Sequence, residues 1–440
     1  MSASMTSAGS RPSADTSEFN LPAYCIELAS RAREASRGAA ASPGKQRSEA
    51  LLGMADAIES RRDELQAANQ IDLDAAPALG LSDAMVDRLR LTDARLASMA
   101  QGVRDIAAQE DPVGAVLDGR VLPNGIRLLR RRVPLGVVLI IFESRPNVTA
   151  DAAALCLKAG NAAILRGGKE ALHSNRAIAD CVRLGLEAAG LPAETIQLVG
   201  TTDREAVKHL LQLDQEIDVC IPRGGESLIR AVVEQSRIPV IKHYTGNCHV
   251  YLDAHADPEK AVAIALNAKT QRTGVCNAAE TFLIHADGVA NGLLKRVGDA
   301  LLGAGVELRA CDQTRAALGG HDKLKPASDA DWAEEYLDMI AAVRVVDSVA
   351  DAAAHINRWG SRHTDAIVSE NVGSIQAFMQ AVDTSNLMVN CSTRFSDGEQ
   401  YGLGAEIGIS TDKLHARGPM GAADLCTYQW VAQGNGQTRN

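Results

Sequence analysis

GVVLIIFESRPNVTADAAALCLKAGNAAIL, residues 136–165, decides the fold. Its two apolar runs, GVVLIIF (136–142) and AAIL (162–165), are short and continuous rather than alternating, the pattern of strands buried on both faces. Between them TADAAALCLKAG (149–160) has the composition of a helix. Strand, helix and strand in that order predict a parallel sheet whose connecting helices cover it. The alternation continues through TIQLV (195–199), DVCI (218–221), PVIK (239–242) and HVYL (249–252), with SNRAIADCVRLGLEAAG (174–190) as a further helix. A second alternating region follows: TFLIH (281–285), a helix at 290–303, VELRA (306–310), AAVRVVD (341–347), HTDAIVSE and NLMVNC.

Upstream, residues 20–117 are Ala-rich, amphipathic and helical in pattern, with acids and arginines on the solvent side. In VLPNGIRLLRRR (121–132), Asn124-Gly125 between apolar runs predicts a hairpin closed by a two-residue turn. The opening MSASMTSAGSRPSADTSEF has the composition of a disordered tail.

Composition excludes several functions. A formal charge of -10 argues against nucleic acid or an anionic membrane as the main partner. PLGVVLIIF (134–142), the most apolar run, is far too short to span a bilayer. The nine cysteines, at 25, 156, 181, 220, 248, 276, 311, 391 and 426, are scattered and form no CxxC, so neither a disulfide framework nor a zinc knuckle is indicated. A reducing cytoplasm is the expected compartment. HYTGNCHVYLDAHAD (243–257) offers His243, Cys248, His249, Asp253, His255 and Asp257, but in no spacing that matches a zinc pattern, and no metal is expected.

Ligands of parallel sheets bind beyond the C-terminal strand ends. There the chain places Arg166-Gly167-Gly168-Lys169-Glu170, Gly200-Thr201-Thr202-Asp203-Arg204 and Arg223-Gly224-Gly225-Glu226-Ser227. Glycine lets the backbone approach a ligand, and the next helix offers free N–H groups to phosphate. Three such turns in succession favour a nucleotide site. GLGAEIG (402–408) has one residue too many for a dinucleotide fingerprint and follows no clear strand.

Chemistry centres on QRTGVCNAAE, 271–280. Cys156, Cys181 and Cys220 lie in apolar periodic segments, where a free cysteine acts as a small hydrophobe. Cys276 instead stands among Arg272, Thr273, Gly274 and Asn277, an open and polar setting that suits a thiolate nucleophile. The local residues alone leave both readings open.

FESRPNVTADAAALCLKAGNAAILRGGKEA, IPRGGESLI, HYTGNCHVYLD, QRTGVCNAAET and EIGISTDKLHARGPMG, spread between residues 20 and 430, closely resemble the gamma-glutamyl phosphate reductase family of the aldehyde dehydrogenase superfamily. The resemblance implies an α/β, aldehyde-dehydrogenase-like fold: two parallel-sheet domains, nucleotide-binding and catalytic, plus a small β oligomerisation arm. The expected division is a tail at 1–19, a nucleotide-binding domain at 20–117 and 134–273, and a catalytic domain at 274–390. The arm and C-terminal segment would take 118–133 and 391–440. It further implies NADPH-dependent reduction of gamma-glutamyl phosphate to glutamate 5-semialdehyde and phosphate, a step of proline biosynthesis, with Cys276 as nucleophile and Asn147 as oxyanion donor.

Residue by residue, the likeness assigns Arg166, Gly167, Lys169, Arg223, Gly224, Gly225 and Glu335 to the cofactor. Lys169 stands where NAD enzymes of the superfamily tend to carry an acid, so NADP is preferred over NAD. Arg145, Arg272, Asn277 and Arg394 are candidates for the substrate's anionic groups, with Ser392, Thr393 and Arg417 beside them. HYTGNC resembles the segment that carries a water-activating glutamate in hydrolytic relatives, yet holds no acid, so phosphate rather than water should resolve the thioester. A homodimer or homotetramer is implied, and contact with glutamate 5-kinase is plausible because its product cyclises readily. The rival readings are a hydrolytic aldehyde dehydrogenase and a catalytically silent NADP-binding scaffold.

Overall fold

A computed structural model describes residues 19–439, so the expected tail falls outside it but for Phe19. The N-terminal layer consists of α1 (Leu21–Ala41), α2 (Gly44–Ser60), α3 (Arg62–Ala75), α4 (Asp83–Leu89) and α5 (Asp93–Ala108). Side chains of Asn20, Ser82 and Thr92 accept from backbone N–H groups at the starts of α1, α4 and α5, relieving donors that a helix end leaves unpaired.

Next come β1 (Val116–Val121) and β2 (Arg127–Pro134), an antiparallel hairpin. Its connection is not the two-residue turn expected. The Gly125 N–H donates to the Leu122 carbonyl and the Leu122 N–H to the Ile126 carbonyl, both at 2.8 Å. Pro123 suits the second position of a β-turn, and Gly125 follows in the left-handed region at φ +84°. The hairpin is therefore closed by three residues.

The first α/β unit runs through β3 (Val137–Phe142), α6 (Asn147–Lys158), β4 (Ala162–Arg166), α7 (Leu172–Ala188), β5 (Ile196–Leu198), α8 (Glu205–Leu210), β6 (Val219–Arg223) and α9 (Glu226–Gln235). Its strands are parallel in the order β5-β4-β3-β6. Every residue of β3 is buried. Val138, Ile140 and Phe142 join the core made with α2, α5, α6 and α7, whereas Val137, Leu139 and Ile141 join that made with α1 and α8. Period-2 geometry with apolar residues at every position is what forces helices onto both faces. PVIK forms no strand; only Val240 bridges Cys220, and Pro239 lacks the N–H a ladder needs. The strand order reverses between β3 and β6, so a ligand crevice opens at the ends of these two strands.

The second unit contains β7 (Cys248–Leu252), α10 (Pro258–Thr270), β8 (Ala279–His285), β9 (Glu307–Ala310), β10 (Leu324–Pro326), β11 (Ile340–Val346), β12 (Thr364–Val368) and β13 (Asn386–Val389). All seven strands are parallel, in the order β10-β9-β11-β8-β7-β12-β13. This corrects the expected boundary at 273/274. HVYL, which the sequence pattern groups with the nucleotide unit, is β7 and pairs with β8 through the crossover helix α10. A doubly buried strand looks the same in either sheet, so only pairing reveals which one it joins.

After β14 (Ile409–Ser410) and β15 (Gly418–Pro419), the last strand β16 (Cys426–Gln433) pairs antiparallel with β2, completing the sheet β1-β2-β16. Of 391–440, this strand and the residues just after it belong to the arm, where Gln437 donates to the Asn124 carbonyl at 3.0 Å. The stretch before β16 returns to both units: Gln109 donates to the Leu403 carbonyl and Asn161 to the Leu425 carbonyl, while the Tyr401 hydroxyl donates to Asn386 Oδ1 of β13 at 3.2 Å.

One buried ion pair stands at the base of the turn between α10 and β8. Lys269 Nζ lies 2.6 Å from Glu280 Oε2, and neither side chain is exposed. Burial depresses the ammonium and raises the carboxyl to about 7, and each favours the charged form of the other. Lys269→Met should cost about 3–5 kcal/mol in chemical denaturation because it strands a buried carboxylate. Adding Glu280→Gln should recover part of that loss.

Candidate active site

The turn 271–278 carries Cys276. Six of the nine cysteines are buried, while Cys276 is partly exposed. Burial pushes the Cys156 and Cys220 thiols far up and the Cys181 thiol to about 11, which makes them inert as nucleophiles. Three contacts fix the turn. A Cβ on Gly246 would fall 2.1 Å from the Cys276 carbonyl oxygen and 2.4 Å from its Cα, so the 243–248 segment can lie against Cys276 only with glycine there. Cys248 Sγ donates to the Cys276 carbonyl at 3.1 Å. Asn277 Nδ2 donates to the Ser396 carbonyl at 2.8 Å. With only 3% of its surface exposed, Asn277 holds the turn rather than facing a substrate, contrary to expectation.

Cations gather on the open side. Desolvation depresses Arg145, and the neighbouring guanidinium groups of Arg223, Arg88 and Arg272 depress it further, while Cys276 acts in the opposite sense. Like charges so close together suit an anionic ligand. Arg88, on α4, was not singled out from the sequence; its Nη2 lies 4.0 Å from the Cβ position of Gly274. Arg394 is depressed first by burial; its Nε donates to Gln271 Oε1 at 2.8 Å, tying its segment to the cysteine turn. Arg417 instead pairs with Asp383 at 2.7 Å, and the Ser392 hydroxyl caps its own short turn.

Asn147 is exposed at the start of α6, two residues beyond Arg145, and its Nδ2 donates to Asp151 Oδ2 at 2.9 Å. Burial lifts the Asp151 carboxyl to about 6. One N–H of the Asn147 amide remains for another acceptor.

The turns after β4 and β6, expected to meet the cofactor, differ in their bonding and in the room they leave. Arg166 donates to the carbonyls of Gly167 and Thr202, bridging two strand ends, so it shapes the turn. Lys169 is exposed beside it. Gly167 has no room for a side chain, as a Cβ would meet Asn175 at 2.1 Å. At Gly225 the space is open, and its N–H donates to Glu143 Oε2 at 3.1 Å. Arg223 is half-buried and reaches the 406–408 segment, where a Cβ on Gly408 would lie 2.8 Å from its Nη1. Glu335, raised by burial, lies near the Gly246 amide beside Cys276 and feels Glu226 at the start of α9, so it stands where the two units face each other.

Two histidines complete the site. One nitrogen of His243, one of His363 and the Cys276 sulfur lie within 4.8 Å of one another. Burial lowers His363 to about 4, which keeps it neutral. The remaining His and Asp of HYTGNCHVYLDAHAD go elsewhere: His249 packs on Asp365, Asp253 on Tyr251 and Ser369. Two imidazoles and a thiolate would suit a soft divalent ion, but the neighbouring arginines oppose added positive charge. His363 is 87 residues beyond Cys276 in the chain, and no local pattern marks it.

Comparison with known proteins gives the same fold. The aldehyde dehydrogenase family model matches residues 22–310. A gamma-glutamyl phosphate reductase of Rhodopirellula baltica is 52% identical over 420 residues, 96% of each chain. The chain belongs to the gamma-glutamyl phosphate reductase family. The crystal structure of the Thermotoga maritima gamma-glutamyl phosphate reductase superposes with a TM-score of 0.91 at 40% identity, covering 94% of this chain and 100% of that one. The Saccharomyces cerevisiae gamma-glutamyl phosphate reductase, at 34% identity over 94% and 98% of the two chains, gives a TM-score of 0.53. The likeness therefore spans both α/β units.

Proposed function

We propose that this chain reduces gamma-glutamyl phosphate to glutamate 5-semialdehyde and phosphate, with NADPH as reductant, in proline biosynthesis. The observation that carries the reading is Cys276 itself: a partly exposed thiol on a rigidly clasped turn, facing clustered arginines at the mouth of a parallel-sheet crevice.

The Cys276 thiolate attacks the acyl carbon, the C–O bond to phosphate breaks, and a gamma-glutamyl thioester remains. Arg145 and Arg272 neutralise the departing phosphate. The Asn147 amide and the Cys276 N–H stabilise the oxyanion of the tetrahedral species, where a single donor is worth roughly 10²–10³ in rate. The dinucleotide, when bound, supplies the hydride that reduces the thioester. Lys169 would hold the 2′-phosphate, the turn at Gly224-Gly225 the pyrophosphate and Glu335 the nicotinamide ribose. Glu335 lies near the Gly246 amide, close to the sulfur, which supports that end of the assignment. The arm would join copies into a dimer or tetramer: all six residues of its outer strand β1 are exposed, offering an unpaired edge. Among the described residues no helix is long and apolar enough to cross a membrane; action in the cytoplasm accords with the scattered free cysteines.

No carboxylate occurs in residues 243–248 to activate water. In the oxidative direction, steady NADP reduction by the semialdehyde should therefore require inorganic phosphate; equal turnover without it would establish the hydrolytic rival. Lys169→Glu should move the NADP/NAD preference in kcat/KM toward NAD by at least tenfold. An unchanged ratio would remove Lys169 from the 2′-phosphate site.

A further inference from the structure

We propose that His243 is the base that takes the proton of the Cys276 thiol. The proposal rests on the reading of Cys276 as nucleophile and extends it to a residue with no role so far.

Attack on the acyl phosphate needs a thiolate, and a proton must leave sulfur for it to form. The 243–248 segment is pressed on the Cys276 backbone through Gly246 and the Cys248–Cys276 hydrogen bond. That holds the 243–248 segment, and His243 with it, beside the cysteine turn. A His243 ring nitrogen lies within 4.8 Å of the sulfur, a gap one water or a small ring rotation closes, as is common before substrate arrives. His243 is partly exposed, so a proton it accepts can pass onward.

The other imidazole does not qualify. His363 is fully buried, and its Nδ1 lies 2.9 Å from Thr364 Oγ1. It packs edge-on against His243 with ring centroids 5.5 Å apart, and so orients that ring. Around His363 the charged groups are Glu406, Glu335, Asp365 and Arg223. At the sulfur they are Arg145 and Arg394.

The proton balance closes. The S–H proton passes to His243, sulfur bonds the acyl carbon, and the C–O bond breaks. His243 then protonates the departing phosphate to the monohydrogen form. Hydride addition and collapse return Cys276 as thiolate, and one solvent proton restores the thiol.

Alkylation of Cys276 by iodoacetamide, followed by peptide mass spectrometry from pH 5 to 10, tests this without substrate. The unmodified protein should show a two-step pH curve, one step for each partner. His243→Asn should collapse it to one alkaline step and lower kcat/KM by about 10²–10³, with NADPH affinity within twofold. Free imidazole should rescue His243→Ala. A single-step curve in the unmodified protein, or an unchanged curve and kcat/KM in folded His243→Asn, would overturn the proposal. Full activity of Cys276→Ser would instead overturn the parent reading, so the two failures are distinct.

Discussion

The chemistry depends on a buried ion pair that the substrate never meets. Lys269 and Glu280 join the end of α10 to the start of β8, and the eight residues between Thr270 and Ala279 are held as a turn rather than a loop. A flexible cysteine would spend binding energy on being ordered, whereas one already fixed can place its sulfur for attack. The pair is costly in isolation, since two charges leave water. Its position brackets the nucleophile, so its loss would loosen the turn that carries the sulfur.

From that turn the site extends across both units. Arg145 and Asn147 come from the link between β3 and α6, Arg223 from the end of β6, and Arg88 from the N-terminal layer. These strand ends flank the reversal of strand order, where a crevice must open. Residues 236–247 then cross to the second sheet, pinned by Lys242 on Asp412, and deliver His243 and Gly246 to Cys276. The substrate groove is thus assembled from segments far apart in sequence. Its nucleophile comes from the second unit, and its cations from the first unit, the N-terminal layer, the cysteine turn and the segment after β13.

The architecture was legible where local pattern sufficed. The runs at 136–142 and 162–165 have one reading, because continuous apolar residues at strand length leave no solvent face. The arm was legible through Asn124-Gly125, although Pro123 recruited a third residue into the turn. The placement of HVYL was not legible, since a doubly buried strand carries no mark of its sheet. At the site, the polar setting of Cys276 raised the question that family likeness answered, but its partners were hidden. Asn277 looked like a ligand residue from its neighbours and is turned inward to Ser396. Arg88, His243 and His363 reach the site only through tertiary packing, and no spacing joins them.

The most direct measurement is peptide mass spectrometry of protein mixed with glutamate 5-semialdehyde and NADP in the absence of phosphate, then quenched in acid. With nothing to resolve the acyl enzyme, one equivalent of NADPH should appear and a glutamyl adduct should map to Cys276. An adduct on another side chain, or sustained turnover by protein lacking this thiol, would contradict the account.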